Sequence, residues 1–258
     1  MPNNKQLFSR WYPRYYDSRE TQTYDIELFT DIFKGKHMKI FEVFCGTGRI
    51  LLPLAECGHE MHGIDRDENM LCRLLEKSED TQNIHLIKAN AIEAAWGSDF
   101  DAVIMAGNLL LNIEDSSDPK SAQIKMINKS FAALKNGGYF ILDNDCHKNP
   151  EKVFKNRTEN IIRDLGTDKD GVSAKMNYMW SSYDTKTQIC INYNRLELTA
   201  PDGEKHIKET KHINHIPSKE QMISWVNGAG FKILNIWGDH YKSPSTDETK
   251  RLIIFAQK

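Results

Sequence analysis

Apolar residues recur along this chain with two periods, and the change from one to the other divides it into three stretches. Residues 5–35 carry Phe8, Trp11, Tyr12, Tyr15 and Tyr16, then Tyr24, Ile26, Phe29, Ile32 and Phe33, at the three-to-four spacing that predicts two helices. From Met38 onward, short apolar runs at 39–44, 60–65, 84–88, 101–106 and 138–144 read as strands. The helical patterns are at 48–57, 67–77 and about 120–135. Gly58 and Gly137-Gly138 stand where helices would stop. Strict alternation with short connections predicts right-handed crossovers and a parallel sheet.

The rhythm changes after Pro150. Segments 173–180, 187–198 and 206–216 are rich in β-branched and aromatic residues, and Asp184-Thr185-Lys186 and Pro201-Asp202-Gly203 are turn signals between them. A three-stranded antiparallel sheet is expected there, with the charge-rich stretch Glu151–Asp170 as a solvated helix and loop. Ser218 and Gln221, just after Pro217, form a capping-box pattern for a helix that runs to Asn227 and stops at Gly228-Ala229-Gly230. Strands at 231–237 and 250–257 close the chain as a hairpin, so the last strand should run antiparallel to the others.

Composition narrows the function classes. The 258 residues are 40% hydrophobic and 27% charged with a net charge of −2, an ordinary globular balance without the basic excess a polyanion would require; no nucleic-acid partner is expected. The first residues lack the apolar centre of a signal peptide and no run approaches membrane-spanning length, so no membrane partner is expected. Five cysteines (45, 57, 72, 146, 190) show no CxxC pair, which fits reduced thiols and a cytoplasmic location.

The chemistry concentrates at Lys39–Gly48, where an apolar run opens into Cys45-Gly46-Thr47-Gly48, and at Gly63-Ile64-Asp65, where the next run stops on an acid. Glycines let backbone approach a nucleoside, and an acid at the next strand's tip can accept ribose hydroxyls. A dinucleotide fingerprint needs a third glycine, but that position is Leu51; a P-loop needs a Lys-Ser/Thr pair, which is absent.

What remains resembles the class I S-adenosylmethionine-dependent methyltransferases. Glu42, Cys45, Gly46, Thr47 and Gly48 match the family's first motif, while Phe44 stands where Gly or Ala is usual. The run Gly63–Leu71 resembles the second-strand acid and its helix start, and Lys88-Ala89-Asn90-Ala91 the adenine-edge position, commonly Asp where this chain has Asn90. Phe100–Asn108 is similar to the fourth strand, Leu134–Leu142 to the turn and fifth strand with Asn136 for Pro, and Ala229-Gly230-Phe231 to the approach to the closing hairpin. The likeness covers roughly residues 38–145 and 218–258.

The resemblance implies an α/β, doubly wound, Rossmann-like fold: a seven-stranded sheet with its last strand antiparallel and a small antiparallel β lid inserted. It would divide into an N-terminal helical cap (1–37), an S-adenosylmethionine-binding domain (38–150 and 217–258) and the lid (151–216). It further implies that Glu42 receives the methionine ammonium and that backbone from Phe44 and Cys45 through Gly46, Thr47 and Gly48 packs against that moiety. Asp65 would hold the ribose, Arg66, Met70 and Ala91 would frame the adenine with Asn90 at its polar edge, and Ala106 would close the ligand-facing end of the fourth strand. Tyr16 stands at the family's entrance helix, where it would close over the sulfonium or simply pack.

The acceptor side is read from the residues just after the fourth strand. Asn108-Leu109-Leu110-Leu111 is not the Pro-Pro motif of amino-methylating DNA enzymes, and no double-acid loop of the protein-arginine type is present. A small-molecule methyl acceptor is therefore expected, at nitrogen ahead of oxygen, in the manner of the glycine/sarcosine-like and aminosugar N-methyltransferases. Asn108, His147 and His215 are the candidates for positioning or proton transfer. His212 and His215, three apart in a strand, would face opposite ways, so no metal is expected. An RNA- or protein-directed methyltransferase and a non-catalytic S-adenosylmethionine-binding module are the alternatives, and the oligomeric state is open.

Overall fold

In the computed structural model, residues 4–78, 82–113, 118–154 and 156–258 are described; the first three residues of the expected cap and Lys155 of the expected solvated stretch lie outside them. The chain divides into two compact units. One comprises Asp17–Asn112, Lys120–Lys148 and Pro217–Lys258; the other Met1–Tyr16, Ile113–Pro119 and Asn149–Ile216. Helix α1 (Asn4–Arg19) contributes to both, whereas α2 (Tyr24–Phe33) belongs to the first.

The first unit is built on alternation. Strands β1 (Lys39–Val43) and β2 (Glu60–Asp65) flank helix α3 (Leu51–Glu56); α4 (Glu68–Lys77) leads to β3 (Ile84–Lys88) and β4 (Phe100–Met105), and α5 (Pro119–Ala133) to β5 (Leu134–Asp145). The sheet has seven strands in which β3, β2, β1, β4 and β5 are parallel neighbours in that order. The final strand pairs antiparallel with β5 and with the strand before it, as the closing hairpin predicts. Strands β1 and β4 are buried almost end to end, which is why they read as continuous apolar runs: both faces of a parallel sheet are covered.

β5 is longer than expected. It starts at Leu134, which pairs with Phe100, so Gly137-Gly138 is a kink inside the strand rather than its boundary. A Cβ at Gly138 would stand 3.0 Å from the Lys135 carbonyl oxygen and 3.1 Å from that of Phe100, so the kink has room for glycine alone.

The second unit holds the short helix α6 (Pro150–Val153) and a four-stranded antiparallel sheet of β6 (Ile161–Thr167), β7 (Ser173–Asp184), β8 (Ile189–Thr199) and β9 (Lys205–His215) in sequential order. β6 corrects the expectation of a solvated helix and loop across Glu151–Asp170. It is an edge strand exposed along nearly its whole length, and such strands carry charges like Arg163 and Asp164 that hide the strand pattern. Leu7 and Trp11 of α1 pack with Val172, Ala174, Leu196 and Leu198 as this unit's own core.

Back in the first unit, α7 (Lys219–Gly228) starts on Ser218 with both halves of the capping box formed, and β10 (Lys232–Trp237) and β11 (Arg251–Gln257) come after it. Among the described residues, no helix is long and apolar enough to cross a membrane.

Candidate active site

The carboxyl ends of β1 and β2 meet at the glycine bend. Gly46 (φ 52°) and Gly48 (φ 78°) turn the chain through left-handed conformations, closed by a hydrogen bond from the Gly48 N–H to the Cys45 carbonyl (2.8 Å). The Gly46 N–H donates to one Asp65 carboxylate oxygen (3.0 Å), and the Asp67 N–H to the other (2.9 Å). The bend and the acid thus converge on one place. Asp67, not Asp65, caps α4 by accepting the Asn69 N–H at 2.9 Å, which leaves Asp65 with lone pairs for a ligand. Close approach runs under this corner: a Cβ at Gly63 would stand 2.7 Å from the Cys45 sulfur, and one at Gly48 2.6 Å from Leu74.

Glu42 lies in β1 beside Gly63, two residues before the tip that Asp65 occupies on β2. It is buried, and its Oε2 has no hydrogen-bond partner among the described residues. Burial pushes its pKa up to about 8; Arg49 pulls the other way, and the charges of Asp25 and Asp65 add to the rise. Arg49 is committed elsewhere, holding both Asp25 oxygens at 2.8 and 2.6 Å and the Gln22 carbonyl at 3.1 Å. Burial also raises Asp65, against the backbone bonds from Asp67 and Gly46.

The other expected contacts fall around this corner with varied exposure. Met70 and Ala91 are buried, Arg66 and Asn90 exposed, and Ala106 half-buried just past β4. Met70 reaches within 3.4 Å of where a Gly46 Cβ would stand. The Asn90 side chain accepts the Ile92 N–H at 3.0 Å, ordering the turn beyond β3. Phe44 occupies the left-handed region (φ 56°), so where the resembled family usually has Gly or Ala a bulky side chain stands here in a conformation that costs about 1–2 kcal/mol. Cys45 is buried and its thiol is raised well above its ordinary pKa, which makes it a packing residue and not a nucleophile. Thr47 is buried and donates to Asp17 at 2.6 Å. Asp17 also receives Arg73 and Lys77 at 2.8 Å each; burial works to raise its carboxyl, and these bonds together bring it below its ordinary value.

A second polar cluster sits at the carboxyl ends of β4 and β5. Asn108, also left-handed (φ 62°), donates to Asp145 at 2.9 Å and accepts the Asp145 N–H at 2.7 Å and the Arg251 guanidinium at 3.1 Å. Arg251 further holds Asp145 at 2.8 Å and the buried Asp143 at 2.5 Å, and His240 bonds Asp143 from the other side at 3.0 Å. Burial acts to raise Asp143, but His240 and Arg251 take it below its ordinary value. His147 comes just after this cluster, half-buried, with its pKa lowered by burial against the opposing charge of Asp145. His215 is buried at the end of β9 in the other unit, and Tyr16 is the last α1 residue of that unit.

Sequence reasoning passed over Asp25, Asp143, Asp145, His240 and Arg251. A signal existed for three of them: two acids alternate at the end of an otherwise apolar strand, and Arg251 opens the strand that pairs with it, opposite Asp145.

Comparisons with known proteins bear on the family and the fold. Residues 34–222 match a family described as "Methyltransferase domain". A Geobacillus sp. (strain WCH70) protein, whose name assigns it provisionally to the methyltransferases, is 24% identical over 225 residues, covering 85% of this chain and 84% of its own. The fold is similar to an S-adenosylmethionine-dependent methyltransferase from Clostridium acetobutylicum ATCC 824 (TM-score 0.73, 15% identity, 95% and 97% of the two chains). It is also similar to the sugar N-methyltransferase KedS8 from Streptoalloteichus sp. ATCC 53650 (TM-score 0.71, 14% identity, 96% and 93%).

Proposed function

This chain belongs to the methyltransferase domain family, and on that footing we propose that it methylates a small molecule, at nitrogen, from S-adenosylmethionine. The observation that carries the reading is Glu42: a buried carboxyl oxygen without a partner among the described residues, on the strand beside the one that ends in Asp65. Two acidic side chains at one corner, with Arg49 already taken by Asp25, favour an ammonium, which would draw Glu42 into its charged form, over a pyrophosphate. An ammonium there would complete Glu42, and vicinal ribose hydroxyls would fill the acceptor capacity Asp65 keeps after its two backbone bonds.

S-adenosylmethionine, when bound, supplies an electrophilic methyl group on its sulfonium, with S-adenosylhomocysteine as the second product. The chain's own work is alignment and exclusion of water. The Cys45–Gly48 backbone and Met70 set one wall. Asn108, clamped by Asp145 and Arg251, offers an oriented amide at the end of β4, where open α/β sheets present groups to ligands. An amine must be neutral to attack, and His147, half-buried just after β5 with its pKa lowered by burial, can take its proton. The nitrogen preference and the acceptor class draw support from the sugar N-methyltransferase among the structural neighbours.

The test is a cofactor-dependent screen of small amines, aminosugars and phenols, reading S-adenosylhomocysteine. Turnover of amines is the expected outcome, and turnover of phenols alone would overturn the nitrogen assignment. Calorimetric binding of S-adenosylmethionine with no turnover of any acceptor would replace the enzymatic reading with a binding module.

A further inference from the structure

Three metal-ligating side chains share one face at the amino-terminal part of β2 and β3, away from the site just described. Successive strand residues point to opposite faces, so Glu60 and His62 of β2 lie on the same side, and parallel pairing places His85 of β3 directly beside His62. The His62 Nε2 stands 2.7 Å from Glu60 Oε1 and the His85 Nε2 3.9 Å from that same oxygen. One ligand atom from each of the three lies within 4.8 Å of the others. The two imidazoles stack with ring centroids 4.5 Å apart and planes 27° apart, and Phe100 fixes the His62 ring edge-on at 5.1 Å.

We propose that Glu60, His62 and His85 form a binding site for a divalent transition ion of the Zn2+ type. Two imidazoles and a carboxylate are a donor set such ions take, with a remaining position for water. Around a tetrahedral ion with bonds of about 2.0–2.1 Å, neighbouring ligand atoms stand about 3.3 Å apart, and the observed 2.7 and 3.9 Å fall on either side of that spacing. Side-chain rotation would bring the three ligand atoms, all within 4.8 Å of one another, onto that spacing. The trio opens to solvent, with Glu60 40% and His85 51% exposed, so an ion can enter and keep a water ligand. The opposing charge is Lys39, beside Glu60 in the β1–β2 pairing, and its ammonium rests over the Phe100 ring at 4.7 Å. Nothing in the sequence spacing announces the site, because sheet pairing joins residues 62 and 85 across a helix and a loop.

The test is calorimetric titration of the full chain with ZnCl2 in chelator-free buffer, in a C57S/C72S background that removes the exposed thiols. One Zn2+ per chain is expected, with binding weakened about tenfold or more by either H62Q or H85Q. H85Q changes an exposed side chain, so it keeps the test decisive should H62Q disturb the fold. H240Q addresses the other trio of close ligands, Asp25, Asp143 and His240, and should leave Zn2+ affinity unchanged. Absence of Zn2+ binding, unchanged affinity in H85Q, or loss of binding in H240Q would each overturn the proposal.

Discussion

Two clusters of carboxylates stand at the carboxyl edge of the same sheet and are finished to different degrees. At the ends of β4 and β5, Asp143 is satisfied by Arg251 and His240, and its carboxyl is held low despite full burial. At the ends of β1 and β2, one Glu42 oxygen has no partner among the described residues, and burial raises both Glu42 and Asp65. The first cluster completes itself with protein groups and serves rigidity, clamping Asn108 in its left-handed turn. On the proposed function, the second is complementary to the ammonium and ribose of the cofactor. Burial without a cation disfavours the charged form, which is why Glu42 is raised, and on the proposed function the cofactor's ammonium would supply what the fold omits.

The largest effect should come from breaking the finished cluster. Arg251→Met leaves Asp143 buried without its guanidinium and should lower folding stability in urea by about 3–5 kcal/mol. A loss under about 1 kcal/mol would erase the distinction between the two ends.

The unfinished cluster should respond in the opposite sense. Glu42 has a folded pKa of about 8 against 4.5 unfolded, so the folded state holds its proton more tightly and wild-type stability falls as pH rises from about 4.5 to about 8. Glu42→Gln removes that penalty: relative to wild type it should gain on the order of 3 kcal/mol at pH 7, nothing below the unfolded value, and a constant amount beyond about pH 8. Parallel urea titrations at several pH values measure this. The same variant should bind S-adenosylmethionine more weakly, and a variant both less stable and equally tight-binding would contradict the role given to this carboxylate.

Next in size, Asp65→Ala should weaken cofactor affinity by about 1.5–3 kcal/mol in calorimetry of the folded variant, the scale of a lost charged hydrogen bond. Unchanged affinity would remove the ribose assignment. The smallest change is expected from His240→Gln, where an amide can still donate to Asp143 and Arg251 stays in place; stability should move by less than about 1 kcal/mol. A larger loss would mean that the imidazole, and not the guanidinium, holds that end together.

Periodicity alone made the sheet legible. Buried parallel strands must be apolar throughout and the helices between them must be amphipathic, so β1 to β4 could be placed to within a residue, and Ser218 with Gln221 announced α7 through a local hydrogen-bond pattern. β6 was illegible because an exposed edge strand buries too little to leave an apolar pattern. The glycine bend and Asp65 were legible because backbone conformation and strand-tip chemistry are local demands on residue type. That one Glu42 oxygen lacks a partner among the described residues while Asp143 has two was decided only by tertiary structure. Charge neutralisation depends on which strands lie side by side, and Arg49 and Arg251 were each drawn to an acid far away in the chain.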